Sequence, residues 1–191
     1  MEKKIEKHAS RLLVMALRHD PAVLGLEQDS AGYCLKNDAR KALREQGYKL
    51  SEEDLEIILQ NERFGVDPTG QKMRVDYGNS IGLKLEDMYE SSQVPPEILY
   101  HGTSADALDS IKKSGILRFA KNGKKPRDHV FMTESPAVAM KKGTRYGRGV
   151  ALPVLAWKMH EDGFLFYHAK NDIWLTDHVP PEYLDLENMK F

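Results

Sequence analysis

The sequence predicts an α+β protein of two lobes, the first built on helices and the second on strands. Three observations carry that expectation. Helical periodicity and capping signals crowd residues 4–60. A polar stretch ending in a proline pair, Glu90-Ser91-Ser92-Gln93-Val94-Pro95-Pro96, suits a linker. Short strand-like runs bounded by turn residues dominate the chain beyond that linker. The lobes are expected to span residues 1–92 and 93–191.

The first helix is expected over residues 4–18. Ile5, Leu12, Leu13, Met15, Ala16 and Leu17 lie mostly on one face, and Asp20-Pro21 stops it. Asn37 or Asp38 is the expected cap of a second helix reaching about Gln46, closed by Gly47. Ser51-Glu52-Glu53-Asp54 matches a capping box and opens a third helix to about Gln60. Phe64-Gly65-Val66, then Asp67-Pro68-Thr69-Gly70, then residues 71–75 read as a hairpin. Three helices and a hairpin is the element order of a winged-helix domain, an order shared by many small domains.

In the second lobe a strand is expected at residues 98–100, followed by His101-Gly102-Thr103. Ser104 would then cap a helix over 105–114, closed by Gly115. A strand is expected at 129–133. Ser135-Pro136 should open a helix to about Lys142. Further strands are expected at 150–158, 164–168 and 173–176.

The chain has 191 residues, 41% apolar and 30% charged, with 28 basic residues against 29 acidic ones and a formal net charge of -1. That composition excludes collagen-like and low-complexity chains and argues against global disorder. The single cysteine, Cys34, allows no internal disulfide. No apolar run approaches the roughly 20 residues that span a bilayer. The first residues also lack a signal-peptide core, so a cytoplasmic protein without a membrane partner is expected. Monomer is the default oligomeric state.

The near-neutral total hides segregation. Lys112, Lys113, Arg118, Lys121, Lys124, Lys125 and Arg127 follow one another with no acid between them, and Lys141, Lys142, Arg145, Arg148 and Lys158 do the same. Such stretches attract phosphates, or simply solvate a loop and a helix face.

His101-Gly102-Thr103, between a strand and a helix start, could bring backbone and polar side chains against a ligand. For an isolated tripeptide, a tight turn with an incidental histidine is the ordinary reading. Arg18-His19, at the end of the first helix, either complements the helix C-terminus or forms an anion clamp. Arg63, Arg74 and Arg127 are ordinary surface arginines singly. Converging on one anion, they would describe a phosphate-transfer site. The scattered histidines and lone cysteine lack metal-ligand spacing, so no metal is expected. Cys34 reads as a small core residue.

Together these pieces resemble the RNA 2′-phosphotransferase family over nearly the whole chain. The resemblance runs through Leu17-Arg18-His19-Asp20-Pro21, Arg63-Phe64 and residues 73–80. It continues through Leu99-Tyr100-His101-Gly102-Thr103, residues 127–133 and Gly143-Thr144-Arg145-Tyr146-Gly147, and closes with residues 171–176 and 179–184. It implies a winged-helix N-terminal lobe that binds RNA, and an NAD-binding C-terminal lobe of the ADP-ribosyltransferase fold, a β-sandwich.

The implied reaction removes an internal 2′-phosphate, as at a tRNA splice junction, with NAD as co-substrate. The phosphate displaces nicotinamide, and the neighbouring ribose hydroxyl then attacks phosphorus. The products are 2′-hydroxyl RNA and ADP-ribose 1″,2″-cyclic phosphate. By resemblance the catalytic set is Arg18, His19, Arg63 and Arg127, and the NAD contacts are His101, Gly102, Thr103, Phe131 and Thr133. Arg74 and Arg145 are implied to touch RNA or nucleotide. Phe131 stands where the family usually has a histidine, and Thr133 where it has a serine. These departures leave two other readings open. One is an ADP-ribosyltransferase acting on a nucleic-acid phosphate or a protein without the second step. The other is an RNA-binding module without NAD.

Overall fold

The structure, a computed structural model, describes residues 3–118 and 127–191. Lys121, Lys124 and Lys125 of the first basic run lie outside them. The described chain is α+β and divides into two compact units, Met1–Met88 and Tyr89–Phe191.

In the first unit, helix α1 (Lys3–Arg18) buries Ala9, Leu13, Ala16 and Leu17, the stripe its periodicity expects. Strand β1 (Cys34–Leu35) leads directly into α2 (Lys36–Glu45), which buries Ala39, Ala42 and Leu43. The expected cap at Asn37 or Asp38 is not the cap that forms. The helix starts earlier, with Leu35 at the N-cap and no side-chain cap bond. Strand pairing decides this: Leu35 is opposite Lys72, and the Lys36 amide donates to the Gln71 carbonyl at 3.0 Å. Asn37 Oδ1 instead accepts from Arg40 at 3.3 Å.

Helix α3 (Glu52–Leu59) carries the expected capping box. Ser51 Oγ accepts from the Asp54 amide at 3.1 Å, and Asp54 Oδ2 accepts from the Ser51 amide at 3.0 Å. Strands β2 (Phe64–Val66) and β3 (Lys72–Val75) form the hairpin. The three-stranded antiparallel sheet has the order β1-β3-β2. Leu13, Leu17, Leu43, Leu50, Ile58, Phe64 and Met73 are all but sealed from solvent at its core. Burying each such side chain stabilises the unit by roughly 1.5–3 kcal/mol before chain entropy is counted. A short helix α4 (Leu85–Met88) ends the unit.

The second unit is built on β4 (Leu99–Ser104), β5 (Val130–Thr133), β6 (Gly149–Val154), β7 (Tyr167–Ala169) and β8 (Ile173–Thr176). They form one antiparallel sheet in the order β6-β4-β5-β8-β7. Among the described residues of this unit, the strands thus form one five-stranded sheet. Helices α5 (Leu108–Ser114), α6 (Pro136–Gly143) and α7 (Ala156–Glu161) flank it in sequence.

Three further expectations are corrected. His101-Gly102-Thr103 lies inside β4 and not in a turn after it, because β6 pairs with every residue from Leu99 to Ser104. Ser104 makes no side-chain cap bond; a 3-10 turn, Ala105–Ala107, precedes α5. Residues 156–158 are helical because Ala156 and Met159 are both buried, a helical spacing that extends past the end of β6. The β7–β8 turn places Asn171 and Asp172 at φ 61° and 53°, the left-handed region that these two residue types tolerate.

Candidate active site

In the first unit, one loop ties together sequence-distant cations. Residues 76–80 follow β3. The Asp76 amide donates to the Arg63 carbonyl at 3.0 Å, and the Ser80 amide donates to the Arg18 carbonyl at 2.8 Å. His19 Nδ1 and Ser80 Oγ are hydrogen-bonded at 2.7 Å. The Arg18 guanidinium lies 5.3 Å from the Tyr77 ring centroid, a cation–π distance. Gly78, at φ +80°, lets the loop pass that close: a Cβ there would sit 3.4 Å from Arg18 Cζ. Gln28 supports the end of α1 by donating through Nε2 to the Leu17 carbonyl at 3.2 Å and the Gly32 carbonyl at 2.8 Å.

Burial raises the Tyr77 phenol above its ordinary value of 10.0. Arg18 and Arg63 oppose that rise, while Glu62 and Asp76 add to it. Both arginines are thus felt at one ring, which stays protonated and able to donate. The loop thus bonds the backbone carbonyls of Arg18 and Arg63 and the ring of His19, and the Arg63 side chain is exposed.

Arg74 does not join them. It is buried, and its Nε donates to Asp76 Oδ1 at 2.9 Å. Its Nη1 donates to the carbonyls of Met88 at 2.7 Å and Ala31 at 3.3 Å. Its guanidinium stacks 4.5 Å from the Tyr33 centroid. The geometry is that of an internal brace.

In the second unit, β4 and β5 register through a single pair, Tyr100 with Thr133. The next link is made by a side chain: His101 Nδ1 lies 3.0 Å from the Phe131 carbonyl. A carbonyl only accepts, so Nδ1 carries the proton, and in the neutral ring Nε2 is an acceptor. Burial lowers the His101 value below 6.5, the Phe131 bond opposes, and Lys142 lowers it further. Lys142, in the last turn of α6, lies 5.4 Å from the Phe131 ring centroid.

Helix α6 reaches this place through glycine. A Cβ on Gly102 would run into the Ala139 carbonyl, and one on Gly143 into that of Thr103. Thr103 and Thr133 are buried, and Thr133 Oγ1 accepts from the Ser135 amide at 3.3 Å. Arg127 is half-buried, just ahead of the buried Asp128 and His129. Arg145 is exposed, in a 3-10 turn after α6.

Tyr77 and Ser80 in the first unit and Lys142 in the second are not among the candidate site residues read from the sequence, although Tyr77 and Ser80 lie in the stretch 73–80 that carries the family resemblance. Those two bracket Gly78-Asn79 shortly after the end of β3. Nothing in the sequence marked Lys142 apart from its neighbour Lys141. Among the described residues, no group of three or more His, Cys, Asp or Glu side chains is placed to hold a metal ion. No helix there is long and apolar enough to cross a membrane.

A family model described as "RNA 2'-phosphotransferase, Tpt1 / KptA family" matches residues 4–178. A protein of Trichormus variabilis named "Probable RNA 2'-phosphotransferase" is 35% identical over 191 residues, covering 98% of this chain and 100% of that one. One of the same name from Flavobacterium johnsoniae is 34% identical, with the same two coverages. Another so named, from Burkholderia lata, is 37% identical over 178 residues, 92% of this chain and 88% of its own.

Proposed function

Because the chain belongs to the RNA 2′-phosphotransferase (Tpt1/KptA) family, we propose that it is an NAD-dependent RNA 2′-phosphotransferase. It moves an internal 2′-phosphate, as on a spliced tRNA, to NAD, giving 2′-hydroxyl RNA, ADP-ribose 1″,2″-cyclic phosphate and nicotinamide. On this reading the first unit is a winged-helix lobe and the second an ADP-ribosyltransferase-like lobe. The observation that best supports the proposal is the loop 76–80, which bonds the backbone carbonyls of Arg18 and Arg63 and the ring of His19.

The chemistry follows from charge. The attacking group, an RNA phosphate, is already an anion, so no strong base is required. The need is to hold anions in place and to stabilise charge on the phosphoryl group in transfer. Arg18 and Arg63 supply permanent bidentate donors, and His19, oriented by Ser80, supplies a donor that responds to the approaching phosphate. Arg127, in the second unit, is the fourth residue that the family resemblance implies for this reaction. NAD, when bound, supplies the ribose acceptor and the nicotinamide leaving group.

The residues of β4 and β5 fit such a dinucleotide. His101 Nε2 accepts from a ribose hydroxyl, and Phe131 offers an apolar face to a ring. RNA is not met by α3, whose exposed Glu52, Glu53 and Glu56 would repel phosphate; two of them already pair with Arg40 and Lys36 at 2.8 Å.

The test is incubation with NAD and a defined oligonucleotide carrying one internal 2′-phosphate, with products identified by mass. Release of 2′-hydroxyl RNA and the cyclic phosphate is expected. Alanine at Arg18, His19, Arg63 or Arg127 should each lower turnover by about 100-fold or more. Full activity in all four variants would refute the site. An RNA that keeps an ADP-ribose adduct would replace this reading with a transferase that stops after the first step.

A further inference from the structure

We infer that Lys142, seated over the Phe131 ring whose carbonyl orients His101, is a positioning residue that helps keep His101 in the form whose Nε2 accepts a hydrogen bond. That the group donating to Nε2 is a cofactor hydroxyl rests on the proposed function; the inference about the imidazole does not.

Helix α6 cannot slide on β4, because backbone meets backbone at Gly102 with Ala139 and at Gly143 with Thr103. Lys142 precedes Gly143, so its stem starts from a fixed point, and its ammonium lies 5.4 Å from the Phe131 centroid. The carbonyl of that same Phe131 takes the Nδ1 proton of His101 at 3.0 Å. One residue thus ends the lysine's reach with its ring and orients the imidazole with its backbone. With Nδ1 committed, a second proton could go only to Nε2. It would turn the acceptor into a donor and bring a cation against Lys142.

Of the elements packed against β4, β5 brings the Phe131 carbonyl and β6 sets the apolar Leu152 opposite His101. Helix α6 brings Lys142, which acts on the ring, and the 3-10 turn Thr144–Tyr146 that also packs on β4 carries the exposed Arg145. Burial and Lys142 both favour the neutral imidazole, against the carbonyl bond. A phenylalanine at 131 suits this arrangement: its ring holds the ammonium by cation–π attraction without competing for the Phe131 carbonyl.

The experiment is an NMR titration of the His101 ring in the wild type, Lys142→Gln and Lys142→Arg. Lys142→Gln should raise the His101 midpoint by roughly half to one pH unit, the size of one partly screened charge. Lys142→Arg should restore the wild-type midpoint. Lys142 is only half-buried, so both variants should keep the fold, verified by unchanged backbone spectra.

Calorimetric NAD binding read across pH is the second measurement. Affinity should fall as pH drops through the His101 midpoint, and in Lys142→Gln the fall should begin at higher pH. An unchanged His101 midpoint in Lys142→Gln overturns the inference, as does failure of Lys142→Arg to restore it. Absence of NAD binding by the wild type would instead sink the cofactor reading, and the midpoints would still decide the role of Lys142.

Discussion

Replacing Arg74 with alanine should destabilise the first unit and leave RNA chemistry as a secondary casualty. The side chains of Arg74 and Asp76 are 8% and 7% exposed, and the bond between them is 2.9 Å. Removing the arginine leaves the Asp76 carboxylate buried without that partner, at a cost of roughly 3–5 kcal/mol. The carbonyls of Met88 and Ala31 lose a charged donor as well, and Tyr33 loses its stacked guanidinium. Total stability for a unit of this size is about 5–15 kcal/mol, so the loss takes a large share of it.

The assay is urea unfolding followed by circular dichroism, which reports mainly α1, α2 and α3. Trp157 and Trp174, both in the second unit, give an independent fluorescence probe of that part of the chain. The dichroism midpoint should drop by about 1 M or more. The double variant Arg74→Met/Asp76→Asn should lose less than the sum of its singles, because it removes the stranded charge together with its partner. An Arg74→Ala protein with the wild-type midpoint but lost RNA affinity would refute this reasoning and return Arg74 to the RNA contacts.

Two other outcomes come from packing. Gly102→Ala would place a Cβ 2.8 Å from the Ala139 carbonyl carbon and 3.2 Å from its Cα. These are backbone atoms of a helix locked in turn at Gly143, so a loss of about 1–3 kcal/mol is expected in thermal unfolding, and an unchanged melting temperature would contradict the close approach. Burial pushes the Cys34 thiol up to about 12, and it is 3% exposed. A thiol reagent at pH 8 should therefore leave the folded protein untouched and label it fully in urea; native-state labelling at the rate of a free thiol would show the burial to be wrong.

Local signals in the sequence determined most of the elements. The α1 stripe, the Ser51–Asp54 capping box, the hairpin turn and the Ser135-Pro136 helix start each depend on contacts within a few residues, and each forms as expected. The motif residues Arg18, His19, Arg63 and His101 were visible as chemistry because their types and spacing resemble a family. Tertiary structure decided the rest, because the deciding partners are far along the chain. Pairing with Gln71 and Lys72 moved the start of α2, and pairing with β6 made His101-Gly102-Thr103 a strand. Arg74 became a brace only when Asp76, Ala31 and Met88 closed around it. Lys142 differs from Lys141 in nothing a sequence shows; it came to lie over the Phe131 ring because α6 docks on glycine, and a charge acts on whatever folding brings within its reach.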